Sequence, residues 1–173
     1  MTNYYNWQSK VQELVPDDMR IGDDLLILEF ATYNDSFNVP RKVDVTTLIL
    51  LDKGESRAIV EGKEYHLKAP CLAIVMPNQT YCLLEASEEL NLRAIIMSNR
   101  FTANLMSSSL NRMVQKNPIL EISSDIISFN TYYKVLLHTV KSPIKSYRFE
   151  TAQHLTMSML YFYIRKLVKI END

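Results

Sequence analysis

The side chains of this 173-residue chain that could hold a transition metal are His66, His138, His154, Cys71 and Cys82. Imidazole and thiolate ligands bind iron, zinc, manganese or nickel when several converge, at spacings such as HxH on one strand or CxxC in one turn. Neither spacing occurs: the histidines lie far apart and no histidine stands at ligand distance from the cysteines. No metal site can be assembled from them. Cys71 and Cys82 fall within one predicted β segment and read as buried reduced thiols, a disulfide between them being the alternative. Nucleotide and acyl-transfer chemistry fare no better. Gly22, Gly54 and Gly62 are isolated, so no glycine-rich phosphate loop can be written, and no serine sits in a GxSxG elbow. Glu88-Glu89 reads as a solvated acidic pair in a turn rather than a general acid and base. Enzyme chemistry is left without residues to carry it, and no cofactor is expected.

A binding role does find residues. Arg93 stands inside the apolar run Leu90 to Ser98, where a planar guanidinium would suit a carboxylate or a sugar hydroxyl; the alternative is that it faces solvent on a sheet edge. Tyr4, Tyr5 and Trp7 crowd an otherwise polar N-terminal arm, and aromatics in such an arm pack onto something.

The elements that must position these residues begin with the stretch from Leu51 to Leu84. It reads as a strand, a tight turn at Glu61-Gly62, a second strand, a corner at Ala69-Pro70, a third strand and a turn at Pro77-Asn78 into a fourth. Leu25 to Phe30 and the β-branched run Val43 to Leu51 precede it, separated by the turn residues Asn34, Asp35, Ser36 and Pro40, and Leu90 to Ser98 follows it. The sum is roughly seven short strands, the pattern of a small sandwich or barrel. From Asn99 onward the pattern is helical. A helix over 101–114 is interrupted by Ser107, Ser108 and Ser109. A second, capped by Ser123 or Ser124, buries Ile126, Phe129, Tyr133, Leu136 and Val140 and stops at Ser142-Pro143. The last runs from about Ser146 to Ile170 and carries two apolar stripes. One is Ala152, Leu155, Met159 and Phe162; the other is Thr156, Leu160, Tyr163, Leu167 and Ile170. One stripe suffices to cover a helix's own partner, so the second is expected to pair subunits into a homodimer. The alternative is that the barrel takes one stripe and the Ile126 helix the other. The charged end Lys169 to Asp173 reads as the edge of a linker, with the chain part of something longer.

A formal net charge of -1 and a pI near 6.3 lack the basic excess of a nucleic-acid surface. The first ten residues are not a leader, and no stretch has the ~18 apolar residues of a membrane span. A soluble, cytoplasmic protein is expected.

The order strand, Gly54-Glu55, strand, Glu61-Gly62-Lys63-Glu64-Tyr65, Leu67, strand, Met76-Pro77-Asn78 resembles the cupin core. More closely, 25–170 resembles the N-terminal effector-binding and dimerisation domain of AraC-type bacterial transcription regulators. The resemblance implies an α+β, mainly β fold: a cupin-like double-stranded β-helix, or jelly-roll barrel, followed by C-terminal helices. Residues 1–98 would form the arm and barrel and 99–173 the helical dimerisation segment, the helix-turn-helix DNA-binding part being absent. Catalytic cupins place an HxH pair where this chain has Thr46 and Leu48, and a histidine where it has Tyr81, so the resemblance is to the container without the metal. It implies a small-molecule effector held by Tyr81, with Thr46, Leu48, Arg93 and Ile95 beside it and Trp7 or Tyr5 over the mouth; the alternative is that Tyr81 merely packs. A free-standing cupin enzyme and a ligand-less dimerisation scaffold are the alternatives.

Overall fold

Glu61 and Gly62 both hold positive φ, 51° and 76°, the backbone of a two-residue hairpin turn whose twist matches that of the flanking strands. That hairpin joins β6 (Glu55–Val60) to β7 (Lys63–Lys68). The computed structural model describes residues 3–4, 15–30, 38–104 and 108–173. Before the hairpin come β1 (Asn3–Tyr4), β2 (Arg20–Ile21), β3 (Leu25–Phe30), β4 (Arg41–Lys42) and β5 (Thr46–Lys53). After it come β8 (Cys71–Val75), β9 (Thr80–Ala86), β10 (Asn91–Met97), the short helices α1 (Asn99–Thr102) and α2 (Ser108–Lys116), β11 (Ile119–Glu121), α3 (Ile126–Lys141) and α4 (Arg148–Asn172). The anticipated turn residues Asn34 to Ser36 lie outside the described residues.

The strands form two sheets. The smaller has the order β1-β4-β9-β6-β7 and the larger β11-β8-β5-β10-β3-β2. Their inner faces meet: Leu51, Ala73 and Leu92 of the larger sheet pack with Ala58 and Leu67 of the smaller. This is a cupin-like jelly roll, mainly antiparallel β, with helices after it.

The two outer faces differ in chemistry, which decides where the helices go. The smaller sheet turns Arg57, Glu64, Glu85 and His66 outward, with Arg57 bonding Glu85 at 2.6 Å and Glu64 at 2.8 Å across its strands. Such a face belongs in water. The larger sheet turns Leu25, Ile27, Leu48, Leu50, Leu72, Ile74, Ile95 and Met97 outward into one cluster with the helices. Its strand β8 is buried along its whole length, as a strand covered on both faces must be. Each such side chain withdrawn from water contributes about 1.5–3 kcal/mol, so this face requires a cover.

α3 and α4 are that cover. Phe129, Tyr133, Leu136 and Val140 of α3 are buried in the cluster, as the periodicity predicts. Its start differs from expectation: Asp125 stands at the cap, and neither Ser123 nor Ser124 accepts a helix N–H there. α4 corrects the sequence reading more deeply. Thr156, Leu160, Tyr163 and Leu167, expected to pair subunits, are at most 3% exposed and lie in the chain's own core, and only Ile170 of that stripe is exposed, at 53%. Ala152 and Met159 of the other stripe are equally buried. The sheet and α3 between them take the buried residues of both stripes, while Leu155 and Phe162 are half-buried.

β11 is a second departure, a strand between two helices in a region read as wholly helical. It closes the larger sheet by pairing with β8, Leu120 opposite Leu72. Cys71 and Cys82 are both buried and unbridged.

A charge introduced into the buried α4 stripe should therefore unfold the chain rather than merely split an assembly. Leu167→Ala is expected to cost about 2–5 kcal/mol in urea denaturation, and Leu160→Glu to leave no folded population. A Leu160→Glu protein with the native circular dichroism and urea midpoint would contradict this packing.

Candidate functional site

Between the two sheets lies a cavity of about 30 Å³, lined by Ile49, Leu51, Ala58, Val60, Leu67, Tyr81, Leu83 and Leu92 among others. That is room for ordered water and about a tenth of the smallest usual small-molecule pocket. The lining is apolar apart from Tyr81 and Ser56, and the Ser56 hydroxyl already donates to the Glu85 carbonyl at 2.6 Å. A site of this chemistry discriminates by shape and favours apolar groups.

Tyr81 is thus at the cavity wall. Thr46, Leu48, Arg93 and Ile95, expected beside it, are not. The register sets Thr46 opposite Met97, Leu48 opposite Ile95 and Leu50 opposite Arg93, and Leu48, Leu50, Ile95 and Met97 all belong to the cluster beneath the helices. These positions therefore share the outer face, and the inward positions are their neighbours Ile49, Leu51 and Leu92. A one-residue phase error inverts every side chain of a strand. Trp7 and Tyr5 lie outside the described residues.

On that outer face Arg93 is the centre of a polar cluster. Between Asn91 and Leu92 the register of β10 against β5 shifts: Asn91 faces Lys53 and Leu92 faces Leu51, leaving Asp52 as the extra residue of a β-bulge. The bulge aims Asp52 at Arg93, which binds it with both arms, Nε to Oδ2 at 2.7 Å and Nη2 to Oδ1 at 2.5 Å. The same Nη2 reaches Asn130 Oδ1 of α3 at 2.6 Å, and the guanidinium lies 4.2 Å from the ring centroid of Tyr133. Tyr133 in turn donates its hydroxyl to Glu29 at 2.7 Å, and Glu29 stands opposite Arg93 on β3. Burial, then this bond to Glu29, push the Tyr133 phenol well above its usual range, so it remains a neutral donor. Arg93 and Asp52 are 15% and 23% exposed. At that depth a bidentate, stacked pair fixes one arrangement of sheet and helix, and removing one partner strands the other's charge.

The remaining candidates are dispersed. His66 is exposed and lies 3.3 Å from Glu55, His138 is exposed on α3, and His154 bonds the Glu150 carbonyl within α4. Glu88 and Glu89 are exposed in the turn between β9 and β10. Among the described residues no group of three His, Cys, Asp or Glu is placed to hold a metal ion. No helix of the described residues is long and apolar enough to cross a membrane.

Fold and site define a closed β-container with a helical layer clamped to one sheet. Neither a family model nor a curated protein matches the sequence, but solved structures match the fold. The AraC-like transcriptional activator CuxR aligns with a TM-score of 0.53 and 11% identity, over 90% of this chain and 64% of its own. Apo ToxT K231A from Vibrio cholerae strain SCE256 gives 0.52 and 11%, over 83% and 57%. Wild-type ToxT of that strain with unsaturated fatty acid bound gives 0.48 and 13%, over 87% and 56%. The fold is therefore one shared with the AraC-like activator CuxR and with apo ToxT, and this chain spans 64% or less of the length of each of these proteins.

Arg93→Ala should destabilise the chain by about 3 kcal/mol, because Asp52 is left without its cation and Asn130 of α3 without its donor; a loss under about 1 kcal/mol in denaturant titration would show the cluster to be solvated like an exposed ion pair. A pH dependence follows as well. Burial pushes the Cys71 thiol up to about 12 and raises the Tyr133 and Tyr163 phenols. Each folded value lies above the unfolded one, so the stability these groups contribute is intact below the unfolded values, ~8.5 for the thiol and ~10 for the phenols, and is lost as the pH rises from there toward the folded values. Urea midpoints should fall steadily from about pH 8.5 to pH 11; a flat profile there would contradict the burial of these groups.

Proposed function

We propose that this chain is the effector-sensing and dimerisation part of an AraC-type transcription regulator, a separate helix-turn-helix unit of the same protein contacting DNA. The observation that carries this is the arrangement of β5 and β10. Each presents cavity-lining residues on one face, Ile49, Leu51 and Leu92, and helix-bearing residues on the other, Leu48, Leu50, Ile95 and Arg93. The fold shared with CuxR and ToxT supports it, and so does the near-neutral charge, which suits a sensor better than a DNA surface.

The effector is a small apolar molecule, with Tyr81 as its polar contact. At about 30 Å³ the cavity must expand to admit it, and close-packed interiors pass such strain on rather than absorb it. The expansion moves β5 and β10, and α3 travels with them because the Arg93 cluster holds it to the sheet; the compact and the expanded barrel are the two states between which an effector shifts the population. Subunits pair through the outward side of α4, where Tyr161 and Val168 are 56% and 43% exposed. The small cavity also favours a second reading, a barrel that has lost its ligand and serves only to dimerise.

Thermal-shift screening of the protein against short- and medium-chain fatty acids, aromatic acids and sugars separates these. An apolar effector at about 100 times its Kd adds about 2.7 kcal/mol, or about 5–10 °C in Tm, and Ala58→Phe, which fills the cavity, should remove the response while the protein stays folded. A response that survives Ala58→Phe would place the ligand elsewhere, and no response from the parent protein would favour the scaffold. For pairing, Tyr161→Glu with Val168→Glu should halve the mass in light scattering without loss of helicity.

A further inference from the structure

The larger sheet ends at β11, and what lies beyond that edge is a groove. It holds about 590 Å³ between β11 with the following turn and the last three turns of α4, within the range of volumes that bind specific ligands. The register tells which backbone groups face it. Ile74 N–H bonds the Pro118 carbonyl and Ile122 N–H bonds the Pro70 carbonyl. In an antiparallel ladder paired residues alternate between bonded and non-bonded, so Leu120 bonds β8 while Ile119 and Glu121 turn their N–H and C=O groups to the opposite edge. The Glu121 carbonyl confirms the direction, since Lys166 Nζ reaches it from α4 at 3.3 Å.

The helical wall supplies charge. Lys166 is taken by Asp125 at 2.6 Å and by Ser124 at 3.0 Å. The Glu121 carboxylate is taken by the backbone N–H and hydroxyl of Ser123. Asp173 stands at the far end of the groove. Arg165 and Lys169 line the groove without an ion pair to any described residue, with Phe162 and Ile170 beside them. Four residues along a helix they are about 6 Å apart, close to the roughly 6.6 Å between alternate side chains of a strand.

We propose that this groove docks an extended acidic peptide segment, which adds as a further strand to the outer edge of β11, displacing Lys166 from the Glu121 carbonyl, and sets two alternate carboxylates against Arg165 and Lys169. Main-chain pairing supplies affinity and the two cations supply selectivity, the division of labour usual in strand addition. The site lies outside the barrel cavity, so it stands or falls separately from the effector reading.

The test uses the whole chain and the N-acetylated peptide Thr-Val-Glu-Val-Glu-Val-Thr, with its double Gln counterpart, in calorimetric titration at low and high salt. The Glu peptide should bind at least about tenfold tighter than the Gln peptide at low salt, and the difference should shrink as salt screens it. Arg165→Glu with Lys169→Glu should abolish the preference. Glu121→Pro deletes an outward N–H without touching the β8 ladder, and proline is tolerated there on an edge strand. It should weaken binding about tenfold, while Glu121→Ala, which keeps the N–H and removes only a carboxylate, should not. No binding of the Glu peptide at about 1 mM, or binding indifferent to both Glu121→Pro and the charge reversal, would overturn the proposal. So would self-association abolished by Glu121→Pro in the absence of peptide binding, since the occupant would then be a second copy of this chain.

Discussion

A sheet that is apolar on both faces cannot stand alone in water, and the larger sheet of this protein is one. Leu51, Ala73 and Leu92 look one way, and Leu48, Leu50, Leu72 and Ile95 the other. The smaller sheet answers the first face and α3 with α4 the second, so barrel and helices are two halves of one hydrophobic solution. The smaller sheet, whose outer face carries Arg57, Glu64 and Glu85, makes no such demand. Which side of the barrel receives the helices follows from that asymmetry.

The same constraint explains what could be read from the sequence and what could not. Glu61-Gly62, Pro77-Asn78 and the period of Phe129, Tyr133, Leu136 and Val140 were legible because each is a local signal: a positive φ, a turn, a single apolar stripe. The phase of β5 was not, because Leu48-Ile49-Leu50-Leu51 is apolar at every position and a run buried on both faces has no alternation to follow. Arg93 was recognisable as unusual, but its partners Asp52, Asn130 and Tyr133 come from two other elements, and the bulge that aims Asp52 depends on pairing between strands. The stripe Thr156, Leu160, Tyr163 and Leu167 had the right spacing for a partner helix, and spacing alone does not say whether the partner is another chain or one's own sheet. β11 has three residues, too few for any period.

Around Arg93 a single cation ties together β3, β5, β10 and α3, through one bidentate carboxylate, one amide and one ring that itself holds Glu29. Apolar packing alone lets a helix slide by fractions of a residue at little cost, since many registers bury similar area. Directional bonds from a fixed guanidinium do not. The cluster therefore specifies where α3 sits, while the leucines and isoleucines around it supply the affinity of helix for sheet. On the reverse of these strands is a cavity with almost no spare volume, and the two properties together make the sheet a stiff plate rather than a soft wall.

β7 closes the other sheet, and its edge is built differently. Lys63, Glu64, His66 and Lys68 are all exposed along it, with only Leu67 turned into the core. Two lysines, a glutamate and a histidine hold water strongly there, so an approaching strand must strip solvent at most positions along the edge. That rim is a poor template for a further strand, and it disfavours edge-to-edge pairing between copies of this protein.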